Sequence, residues 1–388
     1  MTEFCMALPA GARFVLERLE GAGFAAYVVG GCVRDAMLGL SPKDYDVCTS
    51  AAPEETLRAF ADCRTIETGL AHGTVTVLAD GAPYEVTTFR VDGAYADHRH
   101  PDRVDFVQEV EQDLARRDFT VNAMAYSPRQ GLRDPFGGRE DLAAGRIRCV
   151  GAPERRFSED ALRILRALRF AAVYAFSIEA ETARAARALA PDLHLVARER
   201  STAELLKLLC GRAAGEIVRA FPEVLWQVLP APLCAEGLDA VPPEPALRLA
   251  HALHAAPDPD AALDALRLPK RMAAAARELI AHYGAPRPET PAQARALLRD
   301  LGPERARELA RLRAWAPGEL EAALARGDAY SIAQLAVTGA DLLQAGVPKG
   351  PALGRALHDL LDAVVAGRLE NTKRALLQAA RAREEESP

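Results

Sequence analysis

YVVGGCVRDAMLGLSPKDYDV, residues 27–47, decides how the first third of this 388-residue chain is read. A β-prone run, Tyr27-Val28-Val29, meets Gly30-Gly31, and a helix is predicted from about Val33. Glycines at such a junction let backbone N–H groups approach a polyphosphate closely, and a helix start adds partial positive charge. Gly31 is the candidate backbone contact, and Arg34, in the first helical turn, can grip a phosphate oxygen. The same residues also suit a plain strand–helix turn with a surface arginine, because an isolated glycine pair is a weak motif.

Asp44-Tyr45-Asp46 closes the stretch. On a strand, residues i and i+2 face the same side, so the two carboxylates would stand about 7 Å apart at roughly 3.3 Å rise per residue. Like charges so placed repel unless a cation lies between them. Hard oxygen ligands suit Mg2+, which keeps several waters and takes substrate phosphates for the rest. Glu85, in YEVTTFR (84–90), is a third carboxylate on a separate predicted strand, and a neighbouring strand could bring it alongside. Asp44, Asp46 and Glu85 form the candidate catalytic set, with Asp44 and Asp46 as metal ligands. A solvated strand end and an outward strand residue are the plainer alternatives.

Outward from this stretch, two compositions are visible. Up to about residue 150, β-prone runs such as AAYVVGG (25–31), HGTVTVLAD (72–80) and YEVTTFR alternate with Gly-containing turns. Beyond about residue 155, Ala, Leu and Arg recur at helical spacing with Pro breaks, including VPPEP (241–245) and PRPETP (286–291). The length predicts two or three domains, and 49% hydrophobic with 26% charged residues excludes a mainly disordered chain. Lys plus Arg total 48 against 54 Asp plus Glu, a net charge of -6. That excludes a uniformly basic nucleic-acid binder but not a basic face, because the local field steers a phosphate backbone. The 7 cysteines are odd in number and form no Cys-x-x-Cys pair, so zinc ribbons and disulfide frameworks are not expected. Residues 1–20 carry Glu3 and lack a basic n-region, and no apolar run reaches about 18 residues. A cytoplasmic protein without a secretory signal or membrane span is expected.

Gly-Gly-x-Val-Arg-Asp followed by Asp-x-Asp resembles the signature of the class II tRNA nucleotidyltransferases and bacterial poly(A) polymerases, members of the polymerase-β-like nucleotidyltransferase superfamily. RRDFTVNAMA (116–125), DPFGGREDLAAGRIR (134–148) and EDALRILRALRF (159–170) match in order. The resemblance implies an α+β N-terminal nucleotidyltransferase head, a mixed sheet with helices, followed by an all-α neck, body and tail. The expected boundaries are 1–150 for the head, 151–212 for the neck, 213–300 for the body and 301–388 for the tail.

Arg117 is offered by the resemblance as a nucleotide contact. Asp118 or Thr120 can instead cap a predicted helix, VNAMAYS. In EDALRILRALRF, a continuous helix would place Asp160, Arg163, Arg166 and Arg169 on one drifting face opposite Leu162, Ile164, Leu165 and Leu168. The plain reading is a salt-bridged solvated face. In the resembled family, the Asp and Arg of this motif act as an amino-acid template. The chemistry suits that role. Cytosine N4 and adenine N6 present an amino donor where uracil and guanine present a carbonyl. A carboxylate accepts from the amine and a guanidinium donates to the adjacent ring nitrogen. The wrong base leaves acceptor against acceptor, at about 1–3 kcal/mol or roughly ten- to hundred-fold in discrimination. Arg166 and Arg169 are carried over as further nucleotide or phosphate contacts.

The polar segment 91–104 resembles the flexible loop of full CCA-adding and A-adding enzymes, which speaks against CC-only addition. His72, His98 and His100 show no metal-ligand arrangement. The only His-Asp dipeptide, His358-Asp359, lacks a partner set, so the phosphohydrolase of some relatives is not expected. From Arg155 to Arg212 there are 11 Lys/Arg and 7 Asp/Glu, a local balance of +4. The expected function is template-independent addition of C, C and A from CTP and ATP to the tRNA 3′ end, with Mg2+ and with release of pyrophosphate. The nearest rival is an A-adding tRNA enzyme or poly(A) polymerase, and a second is an inactive RNA-binding module.

Overall fold

The computed structural model describes residues 4–93 and 103–386; His98, His100 and most of the predicted loop 91–104 lie outside them. The chain divides into two compact units, Met1–Asp239 with Ala265–Arg267, and Ala240–Asp264 with Leu268–Pro388.

The first unit opens with α1 (Ala10–Gly21), β1 (Ala26–Val29), α2 (Gly31–Met37), β2 (Val47–Thr49) and α3 (Pro53–Ala59). Then come β3 (Thr65–Ile66), β4 (Thr74–Ala79), β5 (Ala82–Thr88), β6 (Arg90–Asp92), β7 (Val104–Phe106) and α4 (Val110–Ala115). Next along the chain are β8 (Ala125–Ser127), β9 (Gly131–Arg133), α5 (Gly138–Ala143) and β10 (Arg146–Ile147). Seven strands form one sheet in the order β3-β4-β5-β2-β1-β8-β9. Only β2 and β5 run parallel in it, so the sheet is mixed as expected. β4 alternates half-buried Thr74 and Thr76 with buried Val75, Val77 and Ala79, the period-two pattern visible in the sequence. Tyr27, Val29, Cys48, Phe89, Leu114 and Ala123 fill the core under the site.

Helices follow: α6 (Pro153–Glu159), α7 (Leu162–Tyr174), β11 (Ser177–Ile178), α8 (Ala180–Ala188), α9 (Arg198–Leu209), α10 (Ala214–Ala220) and α11 (Pro222–Val228). α7 buries Ile164, Leu165, Leu168, Ala171 and Ala172 and packs on α9. Among the described residues of the second unit, all regular secondary structure is helical. Its helices are α12 (Pro245–Leu253), α13 (Pro259–Ala265), α14 (Lys270–Ala281), α15 (Pro291–Leu312), α16 (Glu319–Arg326), α17 (Gly339–Gln344), α18 (Pro351–Val365) and α19 (Lys373–Glu386). It holds one core around Leu279, Leu298 and Leu309 and another around Leu342, Leu360 and Leu376. Among the described residues no helix is long and apolar enough to cross a membrane.

Three local expectations need correction. Asp44-Tyr45-Asp46 lies just before β2 rather than within a strand; only Asp46 joins the ladder, its carbonyl accepting from Val29 N at 3.0 Å. VNAMAYS is not a helix but a single 3-10 turn, Thr120–Asn122, followed by β8. Val121, Ala123, Met124, Ala125 and Tyr126 are all buried, and a segment apolar on every side carries no period to read. EDALRILRALRF is not one helix: Asp160 is extended (φ -147°, ψ 106°) and separates α6 from α7. Its Oδ1 accepts from Leu162 N at 3.0 Å, the competition between a short carboxylate and the helical backbone that makes Asp a helix starter. Asp160 therefore does not ride the helical face it was assigned with Arg163.

Candidate active site

The turn from β1 into α2 sets one wall of a cleft of about 480 Å³. Gly30 has φ +72°, and a Cβ there would sit 2.9 Å from Arg117 Nη1, so both conformation and space demand glycine. Gly31 needs neither; a Cβ would meet only Arg34 Nη2, at 3.5 Å. The structural constraint thus falls on Gly30, while Gly31 begins α2 on the cleft lining. Arg34 is buried, bonding Asp35 through Nε at 2.9 Å and Nη2 at 2.8 Å, and Asn122 through Nη1.

Asp44 and Asp46 line the same cleft. Asp46 opens to solvent, yet the surrounding walls strip water from its carboxylate and raise its pKa. The charges of Asp44 and Glu85 raise it further, and Arg117 opposes them. β2 and β5 pair in parallel with Val47 opposite Val86, which brings Asp46 and Glu85 into step one residue earlier. Glu85 is exposed and lies off the cleft lining. Among the described residues no three His, Cys, Asp or Glu side chains form a complete metal cluster. An Asp46 carboxylate raised by burial and by its acidic neighbours, with oxygen donors only, fits a hard divalent ion that takes its remaining ligands from water and phosphate.

Each arginine of the cleft is anchored by an acid. Burial pushes Asp113 up, but Arg116 and Arg117 outweigh it and hold its carboxylate below the usual range. Arg116 Nε donates to Asp113 Oδ1 at 3.0 Å and Arg117 Nη2 to Oδ2 at 3.2 Å. Arg117 Nε is buried with no hydrogen-bond partner, a donor left over beside the site. Asp118 is buried, which raises its pKa, yet Arg166 and Asn122 overcome this and bring it to about 2. Arg166 Nε reaches Asp118 Oδ2 at 2.7 Å, and Asn122 Nδ2 reaches Oδ1 at 3.1 Å. Asp118 therefore anchors Arg166 and is no helix cap, while Thr120 donates to Asp141 at 2.6 Å. Arg169 pairs with Glu204 at 2.5 Å. Arg163 Nη1 bonds Glu159 at 2.7 Å and the Arg156 carbonyl at 3.2 Å. Asp160 Oδ2 accepts from Arg200 Nη2, on α9, at 3.1 Å.

Behind the arginines stands Phe170, with the guanidinium carbons of Arg169, Arg34 and Arg166 at 3.9, 5.1 and 5.5 Å from its ring centre. Seven arginines and four aspartates line the cleft, an excess of positive charge suited to a triphosphate. The cleft brings together Gly31, Arg34, Asp44, Asp46, Arg117, Asp160, Arg163, Arg166 and Arg169; only Glu85 stands outside its lining. Sequence reasoning missed Arg200, Asp113, Asn122 and the backing role of Phe170. Asp113 and Arg117 are four apart, a spacing that could have revealed that pair, whereas Arg200 lies 40 residues from its partner and gives no local signal.

Three family models match the chain. They are the Poly A polymerase head domain over residues 26–148, the probable RNA and SrmB-binding site of polymerase A over 175–223, and the putative tRNA nucleotidyltransferase domain 2 over 249–380. The CCA-adding enzyme of Levilactobacillus brevis is 38% identical over 391 residues, 95% of this chain and 96% of that protein. The CCA-adding enzyme of Leuconostoc mesenteroides is 49% identical over 222 residues; the match spans 57% of this chain and 55% of that protein. Among solved structures, the Bacillus stearothermophilus CCA-adding enzyme in complex with CTP is similar with a TM-score of 0.80 and 34% identity, covering 97% of each chain.

Proposed function

The chain belongs to the CCA-adding enzymes, and we propose that it adds C, C and A from CTP and ATP to the 3′ end of tRNA without a nucleic-acid template, releasing pyrophosphate, with the cytoplasm as its compartment. The observation that carries this reading is a single cleft lined by the acidic doublet Asp44 and Asp46 and by the arginines of α7. Nucleotidyltransferases of this family use a divalent metal; Mg2+ is the ion we assign to Asp44 and Asp46, where it would neutralise the triphosphate and acidify the attacking 3′-hydroxyl. Glu85, in register with Asp46, adds the negative potential that would draw the ion to that end of the interior strands β2 and β5.

Gly31 and Arg34 meet the phosphates, and Arg117, Arg166 and Arg169 hold the nucleotide. Asp160 selects the base. Each of its oxygens has accepted one hydrogen bond, from Leu162 N and from Arg200, and each keeps a lone pair for an exocyclic amine. Arg163 retains guanidinium N–H groups beyond those given to Glu159 and the two carbonyls of Arg156 and Arg116, enough to donate to cytosine N3 or adenine N1. Because the selecting carboxylate is fixed by Arg200 rather than by Arg163, the two can address different atoms of one base.

The test is incorporation by the purified protein into a tRNA transcript lacking its three terminal nucleotides. CTP alone should give two additions, ATP alone none, and the two together three. Addition of A alone to a transcript already ending in CC, with no C added to the shorter one, would indicate an A-adding enzyme instead.

A further inference from the structure

The Arg34 guanidinium is held more tightly than a phosphate contact alone requires. Its carbon lies 5.1 Å from the Phe170 ring centre and 4.8 Å from that of Tyr174, and the two rings stack 6.2 Å apart at 18°. The Tyr174 hydroxyl donates to Asp35 Oδ1 at 2.9 Å, the same oxygen that takes Arg34 Nε at 2.9 Å and Nη2 at 2.8 Å. Phe170 and Tyr174 are four apart on α7, whereas Arg34 and Asp35 are neighbours on α2. Two aromatic faces and one shared carboxylate oxygen therefore join the phosphate side of the cleft to the last turns of the helix that carries Arg163, Arg166 and Arg169. Cation–π contacts at a desolvated guanidinium add attraction without consuming N–H donors; Asp35 and Asn122 engage Nε, Nη2 and Nη1, which leaves one N–H on each terminal nitrogen for phosphate oxygens. Burial pushes the Tyr174 phenol up to about 12, so its hydroxyl remains a donor throughout the neutral range.

We propose that Tyr174, with Phe170 and Asp35, is a positioning residue: it orients Arg34 toward the triphosphate and ties that grip to α7. Base-reading and phosphate-holding groups then move as one body. The proposal rests on Arg34 binding phosphate. It predicts a defect shared by CTP and ATP, because the clamp touches the phosphate contact and not the base contacts.

The test compares Tyr174→Phe, Tyr174→Leu and Arg34→Ala with the wild type. It measures KM and kcat for CTP and ATP on truncated tRNA, inhibition by pyrophosphate, and calorimetric binding of magnesium pyrophosphate. Tyr174→Phe loses one hydrogen bond and should raise both KM values and weaken pyrophosphate binding by the same factor, about three- to tenfold. Tyr174→Leu also loses a ring face and should weaken both by roughly a further threefold. Selectivity against UTP and GTP should not change. If Arg34→Ala weakens pyrophosphate but Tyr174→Phe leaves KM and pyrophosphate binding as in the wild type, the clamp is refuted while the phosphate role of Arg34 stands. If Arg34→Ala itself leaves both untouched, the phosphate role fails and the clamp with it. A lowered melting temperature in Tyr174→Phe with unchanged KM would show a purely structural tyrosine and also refute the proposal.

Discussion

Asp118 shows how a buried acid shapes a site by fixing one of its arginines. Its carboxylate is buried beneath Arg166 and Asn122 and has a pKa of about 2 against 3.8 for the unperturbed group. A depressed carboxylate contributes stability that is complete above the unfolded value and is lost as pH falls through the folded one. Asp118→Asn should therefore cost on the order of 2 kcal/mol at pH 7. The gap from wild type should close between about pH 4 and pH 2, as read by urea unfolding across that range. A gap independent of pH would mean that Asp118 acts by packing alone. At this scale many of the residues that line the cleft were legible in the sequence, while their distant partners were not. Arg163 and Asp160 stood together in the motif, but the fold gives Arg163 to Glu159 and Asp160 to Arg200. Contacts 40 or more residues apart leave no trace in local spacing.

Elements were legible where one face is wet and the other dry. β4 shows such a two-sided pattern and β5 largely does; both were readable from alternating Val and Thr. β8 lies inside the sheet between β1 and β9 with every residue buried, so its segment read as a helix. The break between α6 and α7 escaped notice because apolar spacing on either side of Asp160 stays in helical phase, and only the aspartate's own capping bond interrupts it. The β1–α2 turn carries its own prediction. Gly30→Ala must strain a left-handed backbone and push on Arg117, which should cost about 1–3 kcal/mol and raise KM for both nucleotides. Gly31→Ala meets only ordinary contact and should melt like the wild type. Equal melting temperatures for the two variants would contradict the assigned roles.

For the molecule as a whole, a net charge of -6 coexists with a cleft in which seven arginines face four aspartates. On the proposed function, the local field of this arginine-rich cleft would draw RNA phosphate to that face although the chain is acidic overall. Binding of tRNA should weaken linearly in log–log terms as salt rises, at roughly 0.7–0.9 per phosphate neutralised. Replacing Arg166 by Gln should lower the slope of a filter-binding series if that side chain meets RNA phosphate. An unchanged slope would confine it to the nucleotide.

The central claim is that a protein carboxylate, and not a complementary strand, chooses the incoming base. Its most direct test is the ratio of CTP to UTP, and of ATP to GTP, incorporated by Asp160→Ala in single-turnover reactions on truncated tRNA. Loss of the carboxylate should lower both ratios by roughly ten- to hundred-fold, with UTP or GTP now joined to the 3′ end. Ratios equal to those of the wild type, with all four nucleotides slowed alike, would contradict it.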